Sequence, residues 1–225
     1  MSQRTGPSLA TIAIAVLGLG PVARADTKAT GSVVGMTVVM KDGSPLTSHP
    51  HTVVYLEGVA APAVPKTRPQ LRQKNLKFDQ RLMVVQKGTT VDFPNQDRVF
   101  HNVFSFSEAA TFDLGLYKSG SSKSVAFDDA GEVQVYCNIH PDMISTIEVV
   151  DSSYYTIAAD DGSFRIDGAP PGTYPIVAVQ PGNGLTRGTV KVTGGGVTKI
   201  SLQVEGGQIR HAHLRKDGTP YGRYK

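Results

Sequence analysis

One short segment of the sequence combines three residue types that bind soft metal ions. Residues 137–143 read Cys-Asn-Ile-His-Pro-Asp-Met, which places a thiol, an imidazole and a thioether at C-x2-H-x2-M spacing. The segment lies between two predicted strands, so a tight loop can turn Cys137, His140 and Met143 toward one point. Sulfur ligands with imidazole favour copper, and two His, one Cys and a weak axial Met form the ligand set of blue copper sites.

His101 is the candidate for the second imidazole. It opens a predicted strand at 101–106, directly after turn residues at 94–97, and rigid elements hold site residues best. The remaining histidines lie in loop-like or tail sequence, which suits a rigid site less well: His49, His51, His211 and His213. They form two His-x-His pairs that could load copper, although solvated histidines are the commoner meaning of that pattern.

The chain contains one cysteine, Cys137, which therefore has no intramolecular disulfide partner. In an exported protein a single cysteine indicates metal binding, reactivity or intermolecular pairing. A buried cysteine that acts as a small apolar residue is the alternative. Zinc also binds Cys and His, but Met143 and the divalent affinity order favour copper. We expect one copper ion at His101, Cys137, His140 and Met143.

The N-terminal residues have the layout of a secretory signal peptide. Arg4 precedes an apolar run at 9–19, and Ala23-Arg24-Ala25 provides small residues for cleavage before Asp26. The run is shorter than the ~20 apolar residues that span a bilayer. We therefore expect residues 1–25 to be removed and the protein to be periplasmic or secreted, without a membrane span in the mature chain.

Short β-branched runs separated by turn residues predict an all-β chain. The predicted strands are 32–40, 52–56, 75–78, 82–86, 89–93, 101–106, 123–127, 133–137, 145–150, 155–159, 163–166, 174–179, 187–192 and 199–204. They divide into a first domain at 26–150 and a second at 151–205. Residues 206–225 are basic and poor in apolar side chains, so we expect them to be disordered and dispensable for copper binding.

The net charge of +4 comes from the two ends of the chain. Residues 206–225 contain five basic residues and one acidic residue, and residues 1–25 contain two arginines and no acid. The folded body is therefore slightly acidic. Because a nucleic-acid footprint needs basic residues clustered on the fold, we expect no nucleic-acid partner.

The first domain resembles a cupredoxin of the plastocyanin and amicyanin type. The resemblance rests on Gly-Thr-Thr-Val-Asp-Phe-Pro-Asn at 88–95, His-Asn-Val at 101–103 and the segment 131–143, in which Pro141 follows the His as in amicyanin. It implies a Greek-key β-sandwich with eight or so strands.

The same resemblance implies roles for individual residues. His101 and His140 would be equatorial ligands through ring nitrogens, Cys137 the equatorial thiolate and Met143 the long axial ligand. Asn102 would brace the ligand loop, and its backbone N–H would help to hold the thiolate. Such neighbouring hydrogen bonds tune a metal.

The second domain resembles the carboxypeptidase regulatory-like, transthyretin-like β-sandwich. The matching motifs are Asp-Asp-Gly-Ser-Phe-Arg-Ile at 160–166 and Pro-Pro-Gly-Thr-Tyr at 170–174. The segment is short for a complete sandwich, so it could borrow strands from 31–56. This module binds or braces and has no catalytic residues.

Together these observations predict a type 1 copper protein that carries single electrons between transient redox partners. A copper-binding or copper-delivery protein and a non-redox interaction module are the alternatives. We expect no enzyme activity, since a second Cys-His cluster and the G-x-S-x-G signature of hydrolases are absent from the sequence. We expect a monomer.

Overall fold

The structure, a computed structural model, describes residues 29–46, 51–59, 67–182, 184–207 and 213–221. Over these ranges the protein is all-β, as predicted. The described part contains no helix with the length and apolar character to cross a membrane. The predicted signal peptide lies outside the described residues.

Seventeen strands form the described fold. In chain order they are β1 (Gly31–Lys41), β2 (Ser44–Pro45), β3 (Val53–Leu56), β4 (Gln73–Lys74), β5 (Lys77–Phe78), β6 (Leu82–Gln86), β7 (Thr89–Pro94), β8 (His101–Ser107), β9 (Ala110–Tyr117), β10 (Ser122–Phe127), β11 (Gly131–Cys137), β12 (Ile144–Val150), β13 (Tyr155–Ile157), β14 (Ser163–Ala169), β15 (Gly172–Gln180), β16 (Gly184–Val192) and β17 (Val197–Glu205).

The first sandwich consists of a five-stranded sheet in the order β6-β12-β11-β8-β9 and the pair β10-β7. Alternation along β11 turns Val133 and Val135 into the core, where they join Phe93, Phe127 and Ile147. Strand β9 was not predicted from the sequence. It pairs with β8 at the edge of the sheet, where one face stays exposed and the apolar pattern is weak.

The second sandwich consists of the sheets β14-β1-β17, with β2 on β1, and β13-β3-β15-β16. The first domain boundary predicted from the sequence is wrong in this respect, because β1 and β3 belong to the second sandwich and not to the first. β1 pairs along its length with β17, and β3 pairs with β15. Val33 and Leu56 complete the core around Phe164 and Ile176, so the segment after residue 150 does borrow strands from 31–56.

A smaller difference concerns the predicted strand at 75–78. The structure has a short hairpin there, in which β4 pairs with β5. Asn75 and Leu76 form its turn with φ values of 57° and 56°. Positive φ is unfavourable for a residue such as leucine, so the conformational preferences of these residues do not predict this turn.

The two sandwiches pack against each other through an apolar cluster that includes Val53, Leu82, Val150 and Val177. Beside it lies a cleft of about 550 Å³ lined by residues of both units. Glu148 of β12 lines this cleft, is buried, and stands directly opposite Glu132 of β11. Burial, with a smaller contribution from the charge of Glu132, raises the pKa of Glu148 to about 7.

We predict that Glu148 makes the protein less stable as the pH rises. The carboxyl is easier to ionise in the unfolded chain than in the fold, so the contribution of Glu148 to stability is fully present below pH 4.5 and is lost as the pH rises through about 7. Glu148→Gln removes this ionisation. It should stabilise the protein at pH 8 by up to about 3 kcal/mol, at roughly 1.4 kcal/mol per pKa unit, and by little at pH 4.

Urea unfolding of both proteins across this pH range measures the effect. The exposed Glu108→Gln is the matched control and should follow the parent profile. If Glu148→Gln gave the same pH dependence as the parent, Glu148 would not be the group responsible.

Candidate metal centre

Strand pairing brings two of the predicted ligands together. β11 runs antiparallel to β8, with Cys137 opposite Val103 and Tyr136 opposite Phe104. Cys137 ends β11 and His101 begins β8, so both lie at the same end of the sheet. The loop from Cys137 to β12 then returns His140 to this end.

The donor atoms of His101, Cys137 and His140 converge. Cys137 Sγ lies 3.6 Å from His101 Nδ1 and 3.7 Å from His140 Nδ1. The two Nδ1 atoms are 3.1 Å apart. Within the described ranges this is the only group of three or more His, Cys, Asp or Glu residues with ligand atoms this close, all within 4.8 Å.

These separations fit a single metal ion. Sulfur and nitrogen ligands about 2.0–2.3 Å from a metal, at angles of about 100–120°, lie about 3.1–3.8 Å from each other. The set of one thiolate and two imidazoles is that of copper sites of the blue type. The residues present therefore fit copper, while their role as ligands stays a prediction.

Met143 is fully buried in the same apolar core as Cys137. Its backbone closes the ligand loop: its N–H donates to the carbonyl of His140, and its carbonyl accepts from the N–H of Cys137, both at 3.2 Å. These two hydrogen bonds hold the short loop closed. Met143 is placed beside the cluster, and its role as axial ligand stays a prediction.

The surroundings of Cys137 favour the thiolate. Burial alone would raise the pKa of the thiol, but hydrogen bonds from His101 and from the backbone N–H groups of Asn102, Ile139 and His140 outweigh it and lower the pKa. The contact from the Asn102 N–H is the one that the cupredoxin resemblance implies. Metal binding requires the deprotonated sulfur. The hydrogen bonds around Cys137 therefore favour the form of the side chain that binds a metal.

Asp97 fixes the orientation of His101. Its Oδ2 lies 2.9 Å from His101 Nε2, which leaves Nδ1 facing Cys137. The carboxylate also accepts the backbone N–H groups of Asn75 and Leu76 at 2.6 and 3.0 Å. These bonds and His101 outweigh burial and lower the pKa of Asp97. A carboxylate on the second ring nitrogen is a common way to orient a metal-binding histidine.

The two imidazoles differ in their proton affinity. Burial would lower the pKa of His101, but hydrogen bonds to Cys137 and Asp97 raise it overall. Burial and the charge of His101 lower the pKa of His140. His101 is fully buried, whereas His140 is only partly buried. The His101 imidazole is therefore enclosed in the fold, and the His140 imidazole is partly accessible at the surface.

Asn102 connects the ligand strand to the ligand loop. Its carbonyl accepts the N–H of Asn138 at 2.9 Å, while its predicted role at a copper site stays a prediction. Its side chain, however, donates to Asp113 of β9 at 2.5 Å. The brace therefore extends to a strand that the sequence did not predict.

The prediction that residues 206–225 are disordered is wrong for 213–221. This segment lies against the ligand loop: Lys216 N–H donates to Asn138 Oδ1 at 2.8 Å, and the Tyr221 hydroxyl donates to the carbonyl of Cys137 at 2.7 Å. His213 stacks on Tyr136 with ring centroids 4.5 Å apart. Composition alone predicted disorder because it does not register such specific contacts.

The other histidines do not join the described cluster. His51 sits in a turn with φ of 76°, and His213 packs against aromatic rings. His49 and His211 lie outside the described residues. The copper-loading role of the two His-x-His pairs stays a prediction.

Sequence reasoning missed three residues around the cluster: Asp97, Asp113 and Tyr221. Asp97 could have been found from the sequence, because it is a carboxylate four positions before the candidate ligand His101. The alternating run around Asp113, Thr-Phe-Asp-Leu-Gly-Leu-Tyr at 111–117, was a weaker one. Nothing in the local pattern marks Tyr221, because its partner is 84 residues away.

Comparison with known proteins gives a family match for the first sandwich. Residues 65–150, which include all four predicted ligands, match copper binding proteins of the plastocyanin/azurin family. A comparison with curated protein sequences gives no match. The resemblance of the second sandwich to the carboxypeptidase regulatory-like fold stays a prediction.

Among solved structures, an amicyanin variant in its Cu(I) form is 20% identical, with 43% of this chain and 98% of that chain covered and a TM-score of 0.36. A purple cupredoxin from Nitrosopumilus maritimus is 21% identical, with 36% and 99% covered and a TM-score of 0.33.

We predict that Cys137→Ser removes the coloured copper site and leaves the fold intact. The hydroxyl is close in size to the thiol, so no large void opens, but the thiolate-to-copper charge transfer is lost. The parent loaded with one equivalent of Cu(II) should show an intense visible band, and the variant should not. Circular dichroism should be the same for both. An unchanged band in the variant would exclude Cys137 as the ligand.

We also predict that Asp97→Asn weakens copper binding, because the anchor on His101 Nε2 loses its charge. Loss of such a partner costs roughly ten- to hundredfold in metal affinity. Competition with a copper chelator measures it, with the exposed Asp128→Asn as the matched control. Equal copper affinities for the parent and Asp97→Asn would show that Asp97 is not needed to orient the His101 imidazole.

Proposed function

We propose that this chain, whose residues 65–150 match copper binding proteins of the plastocyanin/azurin family, is an exported one-electron carrier. A bound type 1 copper ion supplies the one-electron couple. The chain's own residues hold that ion in one geometry, limit its contact with water and expose one ligand to a partner. The redox partner would be another exported protein, bound transiently.

The observation that carries the proposal is the rigid, buried donor set. His101 and Cys137 are both fully buried on paired strands, and His140 sits in a loop closed by backbone hydrogen bonds from Met143. Ligands on rigid elements move little when the charge at the site changes. Such a cage favours electron exchange, and it opposes the ligand rearrangement that copper delivery requires.

The surface near the donors suits a brief contact. His140 is partly exposed between Ile139 and Pro141, which are also partly exposed. Val99 and Phe100, which directly precede His101, are 43% and 57% exposed. Transient redox complexes use small contacts, and an exposed apolar group beside the site supports docking of this kind.

The second sandwich has a different role in this proposal. It is joined to the first through the cluster around Val53 and Val177, which includes Val150 at the end of β12 remote from the ligand loop. We propose that it is a binding or bracing unit without catalytic activity. Export through residues 1–25 would place the protein in the periplasm or outside the cell.

Electron exchange with a cytochrome tests the proposal. The copper-loaded protein is reduced and mixed with an oxidised soluble cytochrome from the same compartment, and both colours are followed by stopped flow. We expect fast and reversible electron transfer with copper retained. The Cys137→Ser variant is the matched control and should not react. Slow exchange, with copper passing readily to an apo-acceptor, would favour copper delivery instead.

A further inference from the structure

A segment far along the chain from the copper domain lies on the ligand loop. Residues 213–221, here called the C-terminal strap, carry no strand or helix beyond one turn. The turn is closed by hydrogen bonds between the backbones of Arg215, Gly218 and Thr219. The strap therefore depends on the copper domain for its position.

Polar contacts of the strap complete a ring of hydrogen bonds beside the donors. Asn102 Nδ2 donates to Asp113 Oδ1, and Lys216 Nζ lies 2.7 Å from Asp113 Oδ2. The Lys216 N–H donates to Asn138 Oδ1, and the Asn138 N–H returns to the Asn102 carbonyl. Two members of the ring directly follow the predicted ligands: Asn102 follows His101, and Asn138 follows Cys137.

A separate contact reaches Cys137 itself. The Tyr221 hydroxyl donates to the Cys137 carbonyl at 2.7 Å. Arg215 lies over the Tyr221 ring, 5.3 Å from its centroid, which helps to hold the ring in place. Tyr221 thus fixes the peptide between Cys137 and Asn138 through its carbonyl.

The His213 ring packs against aromatic side chains of β8 and β11. His213 stacks on Tyr136 and lies edge-on to Phe104, with centroids 4.5 and 6.1 Å apart. Its Nδ1 lies 2.8 Å from the carbonyl of Leu214. These ring contacts tie the start of the strap to β8 and β11.

The Lys216–Asp113 pair alone would count for little. Both side chains are 40% exposed, and exposed ion pairs contribute roughly 0–1 kcal/mol. The significance of the pair lies in its place within a ring that ties β8, β9 and the ligand loop together. Hydrogen bonds around metal ligands orient those ligands and so change metal affinity.

We infer that the C-terminal strap is part of the copper site, with Lys216 and Tyr221 as positioning residues that hold the Cys137–Asn138 peptide against the His101 strand. The inference rests on the proposed copper function. It assigns the strap two effects: slower loss of copper, and a higher reduction potential. The potential rises because the strap excludes water and because Lys216 offsets the negative charge of Asp113, and both favour the less charged Cu(I) form.

Two point variants in the full chain test the strap. Lys216→Met removes the ammonium but keeps the backbone N–H, and Tyr221→Phe removes only the hydroxyl. The matched controls are Lys199→Met on β17 and Tyr174→Phe on β15, both in the second sandwich. A third variant ends at Gly207 and removes the strap entirely. Three readouts are used: copper loss to a chelator, the reduction potential, and hydrogen exchange of residues 137–140 without metal.

We expect copper loss to be roughly tenfold faster in each point variant, with a lower potential in Lys216→Met and faster exchange of the loop amides in all three variants. The controls should match the parent. If the parent lacks the intense copper band, the proposed function fails. If the parent has it and the point variants match the parent in all three readouts, the strap inference is overturned, whether or not the shortened chain folds.

Discussion

The antiparallel pairing of β8 with β11 is the contact on which the candidate copper site depends. It places Cys137, the last residue of β11, opposite Val103, which is two residues from His101 at the start of β8. A slip of β11 by one residue along β8 would turn Cys137 to the opposite face of the sheet from His101. The apolar residues along β11, with Val133 and Val135 fully buried, fix that register, so the core of the sandwich determines the geometry of the donors.

Around this pairing the structure adds constraints from three directions. Asp97 anchors the far nitrogen of His101, the Met143 backbone closes the loop behind His140, and Tyr221 holds the carbonyl of Cys137. Each bond is modest alone, at about 1 kcal/mol for a typical hydrogen bond. Together they leave the donor atoms few alternative positions, which is the property that an electron carrier requires.

The donor set could be predicted from the sequence because it is local. Cys137, His140 and Met143 fall within seven residues, and His101 is the first residue of a predicted strand that follows a turn. Period-two patterns likewise predicted most strands. They could not show which sheet each strand joins, because alternation fixes the faces of a strand and not its neighbours. Strand β1 pairs with β14 and β17, whose residues are at least 127 positions away, so the sequence placed it in the wrong sandwich.

The strap shows the same limit more strongly. Its composition predicts a solvated tail, yet Lys216 and Tyr221 bond to residues 78 and 84 positions earlier in the chain. Strand β9 was missed because Asp113 and Gly115 interrupt an edge strand with one exposed face. Contacts of this kind depend on the assembled fold and leave no periodic signal.

The central claim is that His101, Cys137 and His140 bind one copper ion together. X-ray absorption at the copper edge of the fully loaded chain tests it most directly, because scattering distinguishes sulfur from nitrogen ligands. The account predicts one short sulfur and two nitrogen scatterers at a single copper per chain. A first shell of nitrogen and oxygen alone, without sulfur, would contradict it.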